Sequence, residues 1–157
     1  QDIGPFEFYT PHFHIEFNPA IYQQVPPPEL YRRQKIVYRF ISDKIVCALD
    51  QEGRLLLNSA NLFIPALDYP AETIVCLFNS GLYTYLYRKM YHSRKVLRNH
   101  LESLPLPLLS EEEHSQFKNI HTHFINRNTP YEELNAAVYS IFNLNSHDIS
   151  LIENEVR

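Results

Sequence analysis

The sequence predicts an α+β fold: a mostly antiparallel β-sheet meander, a central helix and a C-terminal group of short helices. Three observations carry this. Residues 35–65 hold alternating or apolar runs joined by connections too short for parallel crossovers. Residues 73–90 place Ile74, Leu77, Phe78, Tyr85 and Leu86 on one helical stripe. Residues 110–157 contain two cap-like starts, each followed by apolar residues at helical spacing. The 157 residues, 45% of them hydrophobic, suit one domain with a substantial core. Within it, the sheet and central helix fall at about 13–109 and the helical part at 110–157. No apolar run approaches the ~18 residues a membrane span needs.

The elements follow in order. Residues 1–28 are rich in proline and carry no Lys or Arg. Phe13, Ile15 and Phe17 alternate with His14 and Glu16, so a short strand is expected. His12 and His14 would share one face of it, but no third ligand recurs at a fitting spacing, and no metal site is assigned. Pro26-Pro27-Pro28 predicts a stiff extended connector. In the first meander strand Ile36, Tyr38 and Phe40 face one side, and Lys35, Val37, Arg39 and Ile41 the other. Ser42-Asp43-Lys44 is a turn, residues 45–49 a second strand, and Asp50-Gln51-Glu52-Gly53 a type I hairpin loop. Residues 54–58 should return, and 61–64 extend to Pro65, which ends the pairing. Leu104-Pro105-Leu106-Pro107 cannot be helical.

Beyond it, Ser110 with Glu113 forms a capping box ahead of Phe117, Ile120, Phe124 and Ile125. Thr129-Pro130-Tyr131-Glu132 reads as a second, with proline at the first helical position, ahead of Leu134, Val138, Ile141 and Phe142. A last helix should start near Ser146 and bury Ile149 and Ile152. His121 and His123 are two apart on a helix and cannot face one ligand, so they read as structural or exposed. Cys47 and Cys76 sit in apolar runs as buried thiols; with no disulfide framework, a reducing cytoplasm is the expected compartment. A start at Gln1 without a signal-peptide pattern reads as a segment of a longer polypeptide.

The net charge of −4 conceals a map: −3 over residues 1–28, +5 over 29–101 and −6 over 102–157. Ten of the fourteen basic residues lie in two windows, 32–44 and 88–98, and no Asp or Glu occurs between Glu72 and Glu102. Local field rather than the global sum steers a polyanion, so a basic, aromatic-rich middle points to phosphates. The plain alternative is a solvated loop after a core helix. Catalytic patterns are missing. Only Gly4, Gly53 and Gly81 are present, too few for a phosphate-cradling loop, and there is no G-x-S-x-G, H-E-x-x-H or C-x-x-C. Asn18-Pro19-Ala20-Ile21 lacks the second proline and the aromatic of an N-P-P-Y motif and reads as a turn. An active site on this chain is not expected.

Three segments, KIVYRFISDKIVCALDQEGRLLLNSANLFIP, IVCLFNSGLYTYLYRKMYHSRKVLRNHLESLPLP and YEELNAAVYSIFNLNSHDISLIE, carry a resemblance in that order and spacing. The most specific pieces are Leu57-Asn58-Ser59-Ala60-Asn61, Leu77-Phe78-Asn79-Ser80 and Leu104-Pro105-Leu106-Pro107. Together they resemble the TaqI-like C-terminal specificity domain, over about residues 13–155. That resemblance implies a DNA target-recognition module of type II or IIG adenine-N6 DNA methyltransferases and fused restriction-modification enzymes. It also implies a covalently linked N-terminal methyltransferase domain that binds S-adenosylmethionine; this chain itself would need no cofactor. The partner would be double-stranded DNA. Lys35, Arg39 and Lys44, with Arg88, Lys89, Arg94, Lys95 and Arg98, are expected to straddle phosphates and base edges. Arg94, Arg98, Asn58, Asn61 and Asn99 are candidate base readers, because Arg bridges guanine and Asn bridges adenine. Tyr87, Tyr91 and His92 would pack on sugar or phosphate. Asn58 and Asn79 compete with a simpler role in capping backbone groups. Two alternatives stand beside this reading: a recognition domain of a type I specificity subunit, and a protein-interaction domain docking an acidic partner. The acidic C-terminal helices are expected to be scaffold.

Overall fold

A three-stranded antiparallel sheet and a set of helices share one core in the computed structural model, which describes residues 3–10, 16, 18–21, 27–56, 59–66, 68–126 and 130–156. The strands are β1 (Lys35–Arg39), β2 (Cys47–Asp50) and β3 (Ala60–Phe63). Their order is β2-β1-β3, with Val37 opposite both Ala48 and Leu62. The expected meander would have put β2 in the middle, with residues 54–58 returning beside it. Instead 54–56 form no strand, 57–58 lie outside the described residues, and the chain crosses to the far side of β1.

The physical reason lies at both ends of β2. At its end the Asp50 carboxylate gathers the backbone N–H of Glu52 (3.1 Å) and of Arg54 (2.9 Å), while Gly53 takes the left-handed φ of +75°. The chain turns away rather than back. At its start the outer edge of β2 is already occupied. The Asn79 side chain accepts from Cys47 N–H (3.1 Å) and donates to Cys47 C=O (2.9 Å), in the manner of a neighbouring strand. Phe6 N–H adds a bond to the same carbonyl (3.0 Å), so no hairpin return could pair there.

Alternation in β1 is as expected, and both faces are covered. Ile36 and Tyr38 enter the main core with Cys47; Val37 joins a smaller cluster with Ile3 and Ala48. The N-terminal segment forms the cover of that second face, bridging Ile3 to Phe8. Phe6 turns in at a φ of 64°, costly for a side-chain-bearing residue, and stacks on Phe124 at 4.2 Å. The expected strand at 13–17 and the pair His12 and His14 fall outside the described residues, Glu16 excepted. Asn18-Pro19-Ala20-Ile21 is a turn, its Asn18 side chain accepting from Ala20 N–H. Pro28 is not part of an extended connector: it opens the short α1 (Pro28–Arg32), since the first helical turn needs no proline N–H.

The central helix is two helices, α2 (Ala71–Asn79) and α3 (Gly81–Met90), broken at an extended Ser80. The Ser80 hydroxyl donates to Leu77 C=O (2.7 Å) and accepts from Tyr83 N–H (3.4 Å), closing one helix and capping the next. Gly81 docks on α6 (Tyr131–Ile141) through Asn135 Oδ1 (2.8 Å); a Cβ there would lie 2.9 Å from the Tyr139 hydroxyl. The break resets the helical phase. Ile74, Leu77 and Phe78 are buried as expected, but Tyr85 and Leu86 are only half-buried, and Leu82, Tyr83 and Tyr87 take the core instead. α2 is buried all along residues 73–79, between the sheet and α5 (Glu111–Ile125).

The capping box of α5 forms as read, with Ser110 N–H donating to Glu113 Oε2 (2.7 Å). Those Ser110 hydrogen bonds hold the Glu113 carboxyl below its ordinary value. In α6 proline sits at the cap position, one residue earlier than expected, and Thr129 lies outside the described residues. α7 (Ser146–Val156) starts where predicted, with Asn145 Oδ1 accepting from Asp148 N–H (3.0 Å) and Asp148 returning the bond to Asn145 N–H (3.2 Å). Ile152 is buried and Ile149 half-buried; His121 is buried and His123 exposed; both thiols are buried.

Lys35 and Asp50 form an ion pair with no solvent exposure at either side chain, and Lys35 Nζ also donates to Tyr31 C=O at 2.6 Å. Burial alone would raise the Asp50 carboxyl, but hydrogen bonds from Lys35, Glu52 N–H and Arg54 outweigh it and lower it. Asp50→Asn strands a buried ammonium, so a loss of about 3–5 kcal/mol is expected in urea unfolding. Because the folded carboxyl sits below its unfolded value of about 3.9, this stabilisation is complete above that pH and drains away below it. Unfolding midpoints taken through the acid range should fall steeply in the unmodified chain and less so in Asp50→Asn; parallel curves would contradict the assignment.

Candidate nucleic-acid interface

β1 ends at Arg39 and the chain bends at Phe40, but just past it residues 94–96 run antiparallel to 40–42 through an isolated bridge: Ser42 N–H donates to Arg94 C=O (2.9 Å), Val96 N–H to Phe40 C=O (2.8 Å), and Ile41 stands opposite Lys95. This ribbon joins the two basic windows at one edge of the sheet. Lys44, Arg94 and Lys95 are exposed there, and none of them is within 4 Å of a carboxylate among the described residues, although Lys44 is close enough to Asp43 to act on its charge. Lys95 Nζ sits 5.8 Å from the centre of the Phe40 ring. Ser93 shapes the loop through its own hydroxyl, which accepts from Lys95 N–H at 3.0 Å.

Behind the ribbon an aromatic cluster holds the loop in place. Tyr91 stacks on His100 (4.0 Å between centres, 16° between planes), in the short α4 (Arg98–Glu102), and its hydroxyl meets Ser103 Oγ. The Tyr87 hydroxyl donates to Lys95 C=O at 3.2 Å, and burial raises it above its ordinary value. His100 Nδ1 accepts from Leu97 N–H (3.4 Å). Tyr87 is therefore an internal support of the loop, while Tyr91 is half-buried and leans on His100 beside it. His92 and Asn99 are exposed beside it.

The remaining candidates divide by what they touch. Lys35 is removed from the surface altogether: its ammonium is spent inside the fold on Asp50 and Tyr31. Arg39 is half-buried, with Nε–H donating to Ile3 C=O (2.6 Å). Arg88 reaches Asp43 (2.8 Å) and the Glu155 carbonyl (2.9 Å), Lys89 reaches the Glu155 carboxylate (2.7 Å), and Arg98 reaches Glu102 (2.6 Å). Partial burial would raise the Asp43 carboxyl, but the Arg88 hydrogen bond prevails and lowers it. The hydrogen bond to Glu155 raises the Lys89 ammonium. Asn61, across from Tyr38 on β3, is half-buried with its side chain on the Tyr38 hydroxyl. That hydroxyl is raised by burial, against Asn61 and the charge of Arg98. Asn58 lies outside the described residues.

Sequence reasoning missed three groups here. Asp43 and Glu155 trim the basic surface, and nothing in their local sequence marks a partner so far along the chain. His100 was legible only as one of eight histidines. Asn79 is wholly structural, as its competing role allowed.

Nothing at this edge resembles a reaction centre. Among the described residues no three His, Cys, Asp or Glu are grouped to hold a metal ion. Among the described residues, no helix is long and apolar enough to cross a membrane. What this edge presents is an exposed cationic ribbon held to the sheet by main-chain pairing. The TaqI-like C-terminal specificity domain matches residues 1–106, and the chain belongs to that family, the DNA-binding target-recognition domains of restriction-modification methyltransferases. The match covers the sheet, α2, α3 and the ribbon loop, and ends before α5. No curated protein matches the chain.

Glu155→Gln releases Lys89 and should make the chain elute from heparin at higher salt. Melting should be essentially unchanged, since exposed ion pairs add little to stability. Earlier elution, or a clear drop in melting temperature, would show that Glu155 serves the fold and not the charge of this edge.

Proposed function

We propose that this chain is the target-reading domain of a type II or IIG adenine-N6 DNA methyltransferase acting in the cytoplasm. It holds duplex DNA for a S-adenosylmethionine-dependent domain linked to its N-terminal side. The observation that carries the reading is the pairing of residues 40–42 with 94–96, which concentrates cations that are dispersed in the sequence. Lys44 and Lys95 supply mobile point charges suited to phosphates. Arg94 presents a planar fork suited to guanine, and Arg98 does so once it exchanges Glu102 for DNA. Asn99, exposed, and Asn61, on the Tyr38 hydroxyl, are the candidates for adenine. His92, exposed in the loop, is a candidate for the backbone, and Arg39, Arg88 and Lys89 would add to the local field. The methyl transfer itself belongs to the linked domain.

With Lys35 inside and Arg88 and Lys89 engaged, about three phosphate contacts are expected, giving a log–log salt slope of about −3. Lys95→Ala should weaken binding to all duplexes alike and flatten the slope by about one unit. Arg94→Ala should cost about 1–3 kcal/mol on the cognate duplex and relax one base pair. Affinity measured against salt for cognate and scrambled duplexes separates the two classes. A slope near zero, or retention on heparin that duplex DNA cannot displace, would favour an acidic protein partner and defeat the proposal.

A further inference from the structure

The second face of the sheet is covered only part of the way. On β1, Val37 and Arg39 point to that face, and past the bend at Phe40 Ile41 stands at the bridge to Lys95. Val37 is covered by Ile3 and Leu62, and the N-terminal cover ends where Ile3 accepts the Arg39 hydrogen bond. Beyond that point, among the described residues, apolar side chains stand exposed. Ile41 is 47% exposed, and Leu97, two residues after its cross-strand neighbour Lys95, is 38% exposed. The opposite face at the same rows is packed, with Val96 fully buried. Ile41 and Lys95 form a pair between two ladder hydrogen bonds, the closely spaced kind, so their side chains stand together.

Single exposed apolar side chains are ordinary. Ile41 differs in its setting: it stands on a short two-stranded ribbon, an element the major groove admits, flanked by Arg94, Lys95 and Lys44, with Leu97 just beyond the ribbon at the cap of α4. A ribbon drawn to phosphates by that charge brings its apolar face to the base edges. The apolar group a major-groove floor offers is the 5-methyl of thymine. Resting on the DNA reading above, we infer that Ile41, flanked by Leu97, is a specificity-determining residue that packs on a thymine methyl while Lys95 holds the adjoining backbone.

The test uses the whole 157-residue chain and a random-sequence duplex pool enriched on it. The enriched duplex is resynthesised with deoxyuridine replacing each thymine in turn, which removes one methyl and nothing else. At one position the unmodified chain should lose about fourfold in affinity, the worth of one buried methyl, and Ile41→Ala should lose nothing further there. Ile41→Val should keep part of the discrimination. Leu97→Ala carries the same comparison should Ile41→Ala fail to fold. Equal binding of every deoxyuridine duplex, or equal losses in both proteins, would overturn the inference while leaving DNA binding intact. Failure of any duplex to enrich would remove the DNA reading and this inference together.

Discussion

One buried carboxamide joins the two halves of the fold. Asn79 ends α2, and its side chain pairs with the backbone of Cys47 at the edge of β2 while also donating to Val75 C=O at 3.0 Å. Neither backbone group of Cys47 could reach water at that depth, so the pairing is obligatory once the helix is buried. It fixes how far along the sheet α2 can slide. Ser80 then breaks the helix one residue later, and Gly81 seats the start of α3 on α6. The direction in which α3 leaves decides where residues 91–97 fall, and they fall beside the end of β1. The cationic edge is thus a downstream consequence of a contact made wholly inside the fold.

Much of this was legible in the sequence, at the level where local chemistry decides. The alternation of KIVYR, the Ser110–Glu113 box and the start of α7 each follow from spacing and side-chain type, and each is present. What was not legible depends on remote partners. Strand order turned on whether the outer edge of β2 was free, and residues far along the chain had occupied it. Lys35 was read as a surface cation because its alternation puts it opposite Ile36; its burial depends on Asp50 at the far end of the hairpin. The break at Ser80 was within reach, since Ser followed by Gly is a cap signal, but the apolar stripe ran through it and masked the change of phase.

The electrostatics show how an acidic chain sustains a cationic surface. The acids of the C-terminal part are not remote from the basic windows: α7 brings Glu155 to Arg88 and Lys89. Asp43 and Glu102 supply two more local counter-charges. The field that remains outward is therefore narrower than the sequence count implies and is centred on the ribbon. Acidic helices beside a narrow cationic edge would confine the attraction of a polyanion to that edge, which favours a single docking register over diffuse adhesion.

The ribbon is tied to the sheet by main-chain groups alone. Ser42 N–H, Arg94 C=O, Val96 N–H and Phe40 C=O are present whatever side chains those positions bear, and only Val96 is committed to the core. Positions 41, 44, 94 and 95 are consequently free to drift without loosening their own support. A lineage could exchange what this edge recognises by point substitutions, one at a time, with every intermediate still folded. The scaffold and the message it carries would then evolve at different speeds within one small chain.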